Sequence, residues 1–389
     1  MYQRQYVSIH SEDRNLLRFP RSSEFEVELP QDYCNVQAVR LDSWTFPANY
    51  DSFSLLQNNI TMVFEITDPY NPGDWMVNDP LLAIIADALF AYKGQQFIAV
   101  IEEGFYNPFQ IATELTNRFN TAVSVIVSTY ISQNAPGLLE EFNLTGYDQF
   151  VVAYNEVGQK LWFGNKSSNF VISNDSVLYL SSTLKDAICY RTHYPDFTNW
   201  GLPAFLGFTR CIATTTTANN GSYPRFYYGD VTPGDNGFWL MPDARYLGSN
   251  KFIPVYYLAA PYKINLMGNS HFYMEIDGMN SIDELLPFAV NSFTVNTNGT
   301  ASVVKSAFAK IPVTTTPLAQ WYDNNAGPSK VWNPPAERIR RLKIKLRYHD
   351  GVPVEFGKFD FSFTLEFIMF TPQQAKNYKM FVPESIANA

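Results

Sequence analysis

The residues that could do chemistry in this chain are few, and their spacing assembles none of the usual sites. Its four histidines, His10, His193, His271 and His349, are scattered, and no two stand at the separation that places imidazoles on one metal ion. Each reads as a surface or internally hydrogen-bonded histidine. Nucleophile elbow, phosphate-binding loop and dinucleotide fingerprint are all missing. Two pairs of adjacent carboxylates, Glu102-Glu103 and Asp283-Glu284, have the residue types of a general acid and base. Neighbours on a strand point to opposite faces, however, so neither pair forms one site by adjacency. Asp277, Asn280 and Asp283 offer oxygen ligands, but their spacing departs from that of a calcium loop, and a turn-forming role is expected. The three cysteines, Cys34, Cys189 and Cys211, make no CxxC pair and suggest no disulfide framework, so a reducing compartment is expected. No catalytic, metal-binding or cofactor-binding residue is assigned, and the chain reads as a non-enzyme.

The most distinctive charge feature is the segment Glu337–Arg347, ERIRRLKIKLR, with six cations against one acid in a chain of net charge −9. One reading is a solvated strand face whose cations pair with acids on adjacent strands. The other is a docking strip for an acidic partner surface, anionic lipid or nucleic acid, formed by Arg338, Arg340, Arg341, Lys343, Lys345 and Arg347. The acidic balance of the whole chain argues against a dedicated nucleic-acid binder, since such affinity rests mainly on cations that neutralise phosphates.

The elements that must position these residues are chiefly strands. In Glu24–Leu29 the apolar Phe25, Val27 and Leu29 alternate with Glu24, Glu26 and Glu28, the period of a half-buried strand. Pro30 is expected to end it, and Asn35–Thr45 to return as the second strand of an opening antiparallel pair. Asn59–Thr67, Phe150–Tyr154, Lys160–Gly164, Phe170–Ile172, His271–Ile276 and Ala301–Ile311 are further strand candidates. In Arg341–Tyr348 the cations Arg341, Lys343, Lys345 and Arg347 share one face. Phe359, Phe361, Phe363, Leu365, Phe367 and Met369 line one face of a last strand. Asn107 and Pro108 are a helix cap and first turn, and Phe109, Ala112, Leu115 and Phe119 carry the apolar stripe of a helix over Asn107–Phe119. A second helix is expected around Leu81–Tyr92, a short helical or turn element at Trp200–Phe208, and a long surface loop at Thr214–Gly237.

Hydrophobic residues make up 46% and charged residues 17% of the 389 positions, enough apolar content for a large core. Aromatics reach 16%, with 31 Phe and 24 Tyr, which favours pleated structure and also suits protein–protein contacts. The polar opening MYQRQYVSIHSEDRN has no signal-peptide core, and Leu81–Phe90 is too short to span a bilayer. Many short strands, Pro- and Gly-rich turns and few helices give the fold class: mainly β, a jelly-roll-like antiparallel β-sandwich with short helical insertions. The sandwich is expected over 1–370, either whole or as two β halves at about 1–212 and 252–370 joined by a loop-rich segment. A C-terminal extended arm is expected over 371–389.

Several blocks, in order, resemble the minor capsid and penton proteins of nucleocytoplasmic large DNA viruses and their virophages. They are Ser11-Glu12-Asp13-Arg14-Asn15, Phe19-Pro20, Phe25 to Pro30 and Phe46-Pro47 at one end, then Gly104 to Phe109 before the helix. Trp200 to Phe208, Tyr273 to Asn280 and Ser306 to Pro312 follow. Asn333-Pro334-Pro335, Tyr348 to Gly351 and Phe361 to Phe367 close the series. The resemblance implies a structural minor capsid protein of an icosahedral double-stranded DNA virus. Its expected partners are the major capsid protein and other minor capsid proteins in a multi-copy assembly, with proximity to an inner membrane. The virion capsid is the expected location, after assembly in the host cytoplasm. A penton at the fivefold vertices is the near alternative. A glycan- or receptor-binding surface module and a hydrolase are the alternatives of other classes.

Overall fold

A computed structural model describes residues 2–48, 51–69, 79–173, 201–208, 213–218, 223–227, 238–246, 254–286, 303–313, 320–323, 329–349 and 351–370. In chain order its strands begin with β1 (Tyr2–His10), β2 (Glu24–Pro47), β3 (Thr61–Asp68), β4 (Gln96–Val100), β5 (Phe150–Asn155), β6 (Lys160–Asn165) and β7 (Asn169–Ser173). There follow β8 (Ala213–Thr214), β9 (Thr216–Ala218), β10 (Arg225–Tyr227), β11 (Phe238–Trp239), β12 (Val255–Ala259) and β13 (His271–Ile276). The last are β14 (Ile282–Leu286), β15 (Val303–Ala307), β16 (Ala309–Pro312), β17 (Gln320–Asp323), β18 (Ser329–Arg347) and β19 (Ser362–Phe370). The helices are α1 (Pro80–Ala91), α2 (Pro108–Asn134), α3 (Leu139–Thr145) and α4 (Gly201–Phe205). The described strand pairs are all antiparallel, so the architecture is mainly β, in keeping with the jelly-roll-like class read from the sequence.

The chain divides into two compact units. The first comprises Met1–Tyr50, Asn269–Ser292 and Gly299–Ala389; the second comprises Asp51–Gly268 and Phe293–Asn298. This division differs from the halves at 1–212 and 252–370. The reason is pairing: β1 and β2 find their partners in β19 and β18, at the far end of the sequence, so the second unit is inserted between two parts of the first.

In the first unit the main sheet runs β1-β19-β2-β18-β13-β16, with β17 on the end of β2. The expected hairpin of Glu24–Leu29 with Asn35–Thr45 does not form; both segments belong to the single strand β2. Opposite it, Ile339 pairs with Tyr33 and Arg341 with Glu28, so Leu29–Asp32 bulges out against Arg340 alone. Pro30 sits in that bulge, where a missing N–H removes no ladder bond, and the strand resumes beyond it. Asn35 adopts a left-handed backbone just after, at φ 51°. With its alternation interrupted by register shifts, β2 buries Phe25, Val36, Leu41 and Phe46 together with Leu342, Ile344, Leu365 and Phe367. Phe46 lies at the centre, its ring 4.9 Å from Phe361 and 5.0 Å from Phe272.

The second unit is a helix packed among two four-stranded sheets, β4-β3-β7-β8 and β5-β6-β12-β9. Asn107 caps α2 in a reciprocal box with Gln110, as its sequence predicts. The helix continues well past Phe119, to Asn134. The apolar stripe goes on at four-residue steps through Val123, Val127 and Ile131, and the intervening Ser124 and Thr129 hydroxyls donate to the carbonyls of Asn120 and Val125. Phe119 stacks on Phe64 of β3 at 4.2 Å, and Phe64 in turn on Phe97 of β4 at 5.3 Å. Part of the expected loop Thr214–Gly237 is instead strand, in β8, β9 and β10; Thr215, Tyr223 and Pro224 are irregular, and 219–222 and 228–237 lie outside the described residues. Gly207 has φ +90°, and a side chain there would strike the carbonyl of Tyr262, whose N–H donates to Gly207 O at 3.0 Å. The proposed arm 371–389 lies outside the described residues.

Because Phe119 is fully buried at the meeting point of helix and sheet, Phe119→Ala is expected to cost about 3–5 kcal/mol. Equilibrium denaturation in urea checks this, with circular dichroism following the helix.

Candidate functional site

The basic segment lies on β18, and the ladder to β2 decides what surrounds it. Arg341 is directly opposite Glu28, Lys343 opposite Glu26 and Lys345 opposite Glu24. The alternation that puts Phe25, Val27 and Leu29 on one face of β2 therefore puts three acids in line with three bases. Arg341 makes ion pairs at 2.9 Å with both Glu26 and Glu28. Beyond the bulge Arg338 pairs with Asp32 at 3.0 Å, and Arg340 approaches the same carboxylate at 3.8 Å. Because the bulge breaks the alternation, the consecutive residues Arg340 and Arg341 both face solvent, each 59% exposed at its side chain. The hydrogen bond and charge of Arg341, with Arg340 beside it, hold the Glu28 carboxyl below its usual range. The same hydrogen bond, with the charges of Glu26 and Glu28, holds the Arg341 guanidinium above its own. Screened by water, such pairs add little to stability, and their main effect is to set register and local charge.

Arg347 does not belong with the other five. It is 1% exposed, because β13 and the β14–β15 hairpin flank it. Its guanidinium binds Glu275 of β13 and, at 2.8 Å, the buried Glu284 of β14. It also lies 5.2 Å over the ring of Tyr273. Burial pulls the guanidinium down, but the hydrogen bonds of Glu284 and Glu275 outweigh it and leave the group above its ordinary value. His349 Nδ1 meets the other oxygen of Glu284. Close by, burial and the charge of Lys310 push the His271 imidazole below its ordinary value. This cluster was not legible beforehand, since Glu284 stands far from Arg347 in sequence and looks like half of an adjacent acidic pair. The one available signal was a single cation of the alternating set followed at once by the turn at Gly351.

A comparable buried carboxylate, Glu366 of β19, accepts from Tyr6 at 3.1 Å and pairs with Arg40 at 2.7 Å and Arg4 at 3.4 Å. In the second unit Arg245 bridges Asp148 and Asp243 at 2.6 and 2.5 Å. Burial alone would raise the Asp243 carboxyl, but bonds from Arg245 and Gln149 bring it below its usual value.

The remaining sequence candidates are separate. Glu103 accepts from the backbone N–H of Leu55, and the Glu102 N–H donates to Glu114 at 3.2 Å. Both acids border an open groove of about 510 Å³ with Phe105, Tyr106, Phe109 and Glu114. There the Tyr106 hydroxyl is pushed up to about 12 by burial and by Glu114 and Glu102. Asn280 accepts from the Ile276 N–H at 3.0 Å, a turn role, and no cluster of metal-ligating side chains occurs among the described residues. Cys34 is a free, exposed thiol. His193, Cys189 and Cys211 lie outside the described residues. No described helix is long and apolar enough to cross a membrane.

No known protein family matches the chain, and no curated protein does. Solved structures do align with it. The mavirus penton protein covers 95% of this chain with 100% of its own, at 9% identity and a TM-score of 0.37. A chain of the Sputnik virophage covers 94% with 98% of its own, at 13% identity and a TM-score of 0.39. At this degree of likeness neither assigns a site or a partner to this chain.

Two measurements follow from the charge geometry. Arg341→Ala should let the Glu28 carboxyl rise back toward its ordinary value, read by NMR titration of its side-chain carbon. Arg347→Ala strands Glu284 without its cation and should cost about 3–5 kcal/mol in denaturant unfolding, whereas the exposed Arg340→Ala should cost under about 1 kcal/mol.

Proposed function

We propose that the chain is a non-enzymatic structural protein of an icosahedral double-stranded DNA virus shell, a minor capsid protein that contacts major capsid capsomers. The observation that carries this reading is where the resembling blocks fall. Those at the two ends of the sequence are far apart along the chain, yet Phe25–Pro47 on β2 is bonded on one side to β18 and on the other to β19. Tyr273–Ile276 on β13 joins the same sheet beside β18. Blocks that match by chance have no reason to be adjacent strands of one unit. A sheet-based unit with long strands suits such a role, because many copies turn modest surface contacts into a stable shell.

The docking surface proposed on this unit is the row of exposed Arg338, Arg340, Arg341 and Lys343 with the half-buried Lys345, without Arg347. Its cations are largely matched by Asp32, Glu24, Glu26 and Glu28, so what it offers is a patterned row of both signs, better suited to a protein surface than to nucleic acid. The segment 371–389 is proposed as an arm that reaches a neighbouring subunit, and the virion capsid, assembled in the host cytoplasm near an inner membrane, as the location. The penton position is the second reading within this class. The groove of Phe105, Tyr106 and Phe109 with its carboxylates favours, as a second class, a glycan-binding surface module.

Locating the protein in intact particles by cryo-electron microscopy tests the reading. Density beneath or between capsomers is expected; density at the fivefold vertices makes it the penton, and absence from particles overturns the shell role. In the same particles Arg338→Glu with Arg340→Glu should lower incorporation about tenfold while leaving the unfolding midpoint nearly unchanged. Deleting 371–389 should likewise lower incorporation and leave the fold intact.

A further inference from the structure

Strand β1 ends the main sheet of the first unit, and no described strand pairs with its outer edge. Its nine residues pair with β19 in one register from Tyr2↔Phe370 to His10↔Ser362, without a bulge. The same register continues to Ser11, whose N–H donates to the carbonyl of Phe361 at 2.8 Å. In an antiparallel ladder the backbone groups of alternate residues face alternate sides. The odd-numbered residues of β1 therefore bond to β19, and Tyr2, Arg4, Tyr6, Ser8 and His10 turn their N–H and C=O groups outward. The side chains of those five also share a face, as the 3.0 Å contact of Ser8 Oγ with His10 Nε2 requires.

Natural edge strands are usually protected by proline, bulges or charge. This one has no proline and no bulge. Its single permanent charge, Arg4, stays largely exposed but is balanced by Glu366 at 3.4 Å. Tyr2 and Tyr6 remain 63% and 56% exposed, and the Tyr6 hydroxyl is held by Glu366. The strand is a regular, preorganised and unprotected template.

We propose that β1 is an interface with a second copy of this chain, the two strands pairing antiparallel about a twofold axis at Tyr6. The choice of occupant follows from the sequence of the edge. A twofold at Tyr6 sets Tyr6 against Tyr6, Arg4 against Ser8 and Tyr2 against His10, so each outward-facing residue meets another outward-facing residue. That is the parity an extra ladder requires. No like charges come opposite one another, and aromatic rings meet across the pair. A closed twofold contact uses one patch on both copies and so leaves no free edge at this place. The contact belongs to the isolated chain and does not depend on the shell reading. A strand pair alone is smaller than a standard interface, so association in the micromolar range is expected.

The test uses the full chain with Cys34, Cys189 and Cys211 replaced by Ser. Under mild oxidation Tyr6→Cys should cross-link to itself, since directly paired Cα atoms lie within disulfide reach. Arg4→Cys alone should not, while Arg4→Cys with Ser8→Cys should. By sedimentation velocity Ser8→Pro, which removes an outward N–H and no bond of the β1–β19 ladder, should weaken self-association about tenfold or more, while Ser8→Ala, which loses only the hydroxyl contact with His10, should not. Tyr6→Lys gives a second route: its ammonium can pair with Glu366 within one chain, but two lysines would meet at the axis. It should give a folded monomer. A wild-type chain that stays monomeric, a Tyr6→Cys chain that does not cross-link, or equal cross-linking of Arg4→Cys alone would each overturn the proposal.

Discussion

A strand of 24 residues has to satisfy its backbone on both sides, and in this protein that requirement organises the first unit. β2 bonds to β18 along one edge and to β19 along the other, so the beginning and the end of the chain are fixed to each other. With β17 also on β2, β1 on the far side of β19 and β13 on the far side of β18, every strand of the main sheet but β16 bonds directly to this central set. The aromatic core follows from it. Phe25 and Phe46 lie near opposite ends of one strand, about 70 Å apart if it were straight, yet both rings reach Phe361, so β2 bends sharply between them.

The same ladder sorts the charges into two populations. On the exposed part of β18 the cations meet the acids of β2 in water, where each pair is worth little and the pattern matters more than the energy. At Arg347 and Glu366 the side chains are withdrawn from solvent, and the balance changes sign with context. A buried pair adds little over an apolar packing of the same volume, yet loss of one partner leaves a charge with nowhere to go. Glu284 therefore ties the β14–β15 hairpin to Arg347 and His349 through a penalty for separation more than through a gain on contact.

Local patterns were legible where a residue's neighbours in space are its neighbours in sequence. The cap and first three turns of α2, the alternation in β2, β13 and β18, and the turn role of Asn280 all have that character. The reading failed where partners are distant. Pro30 looked like a stop because the bulge that accommodates it is defined by Ile339 and Arg341, some three hundred residues away. Arg347 looked like the last member of an exposed row because nothing in Arg341–Arg347 announces the hairpin beside it. The bland alternative for the row, cations facing acids on the adjacent strand, turns out to describe its geometry, and Glu24, Glu26 and Glu28 had been in view as an alternating set all along. What sequence could not supply was the register that lines the two sets up.

Geometry of this kind directs attention from cavities to surfaces and edges. The buried charged groups described above are committed to one another: Arg347 to two glutamates, and Glu366 to two arginines and a tyrosine. Among the described residues of the first unit, the features that face outward are peripheral: the cations of β18 in water beside the acids of β2, and the outer backbone of β1. Main-chain pairing at an edge supplies affinity without chemistry, and side-chain charge along a strand supplies orientation. Together they are means by which a sheet protein can recognise neighbours, and in the role proposed for this chain the edge of β1 and the charge rows of β2 and β18 would divide that work between them.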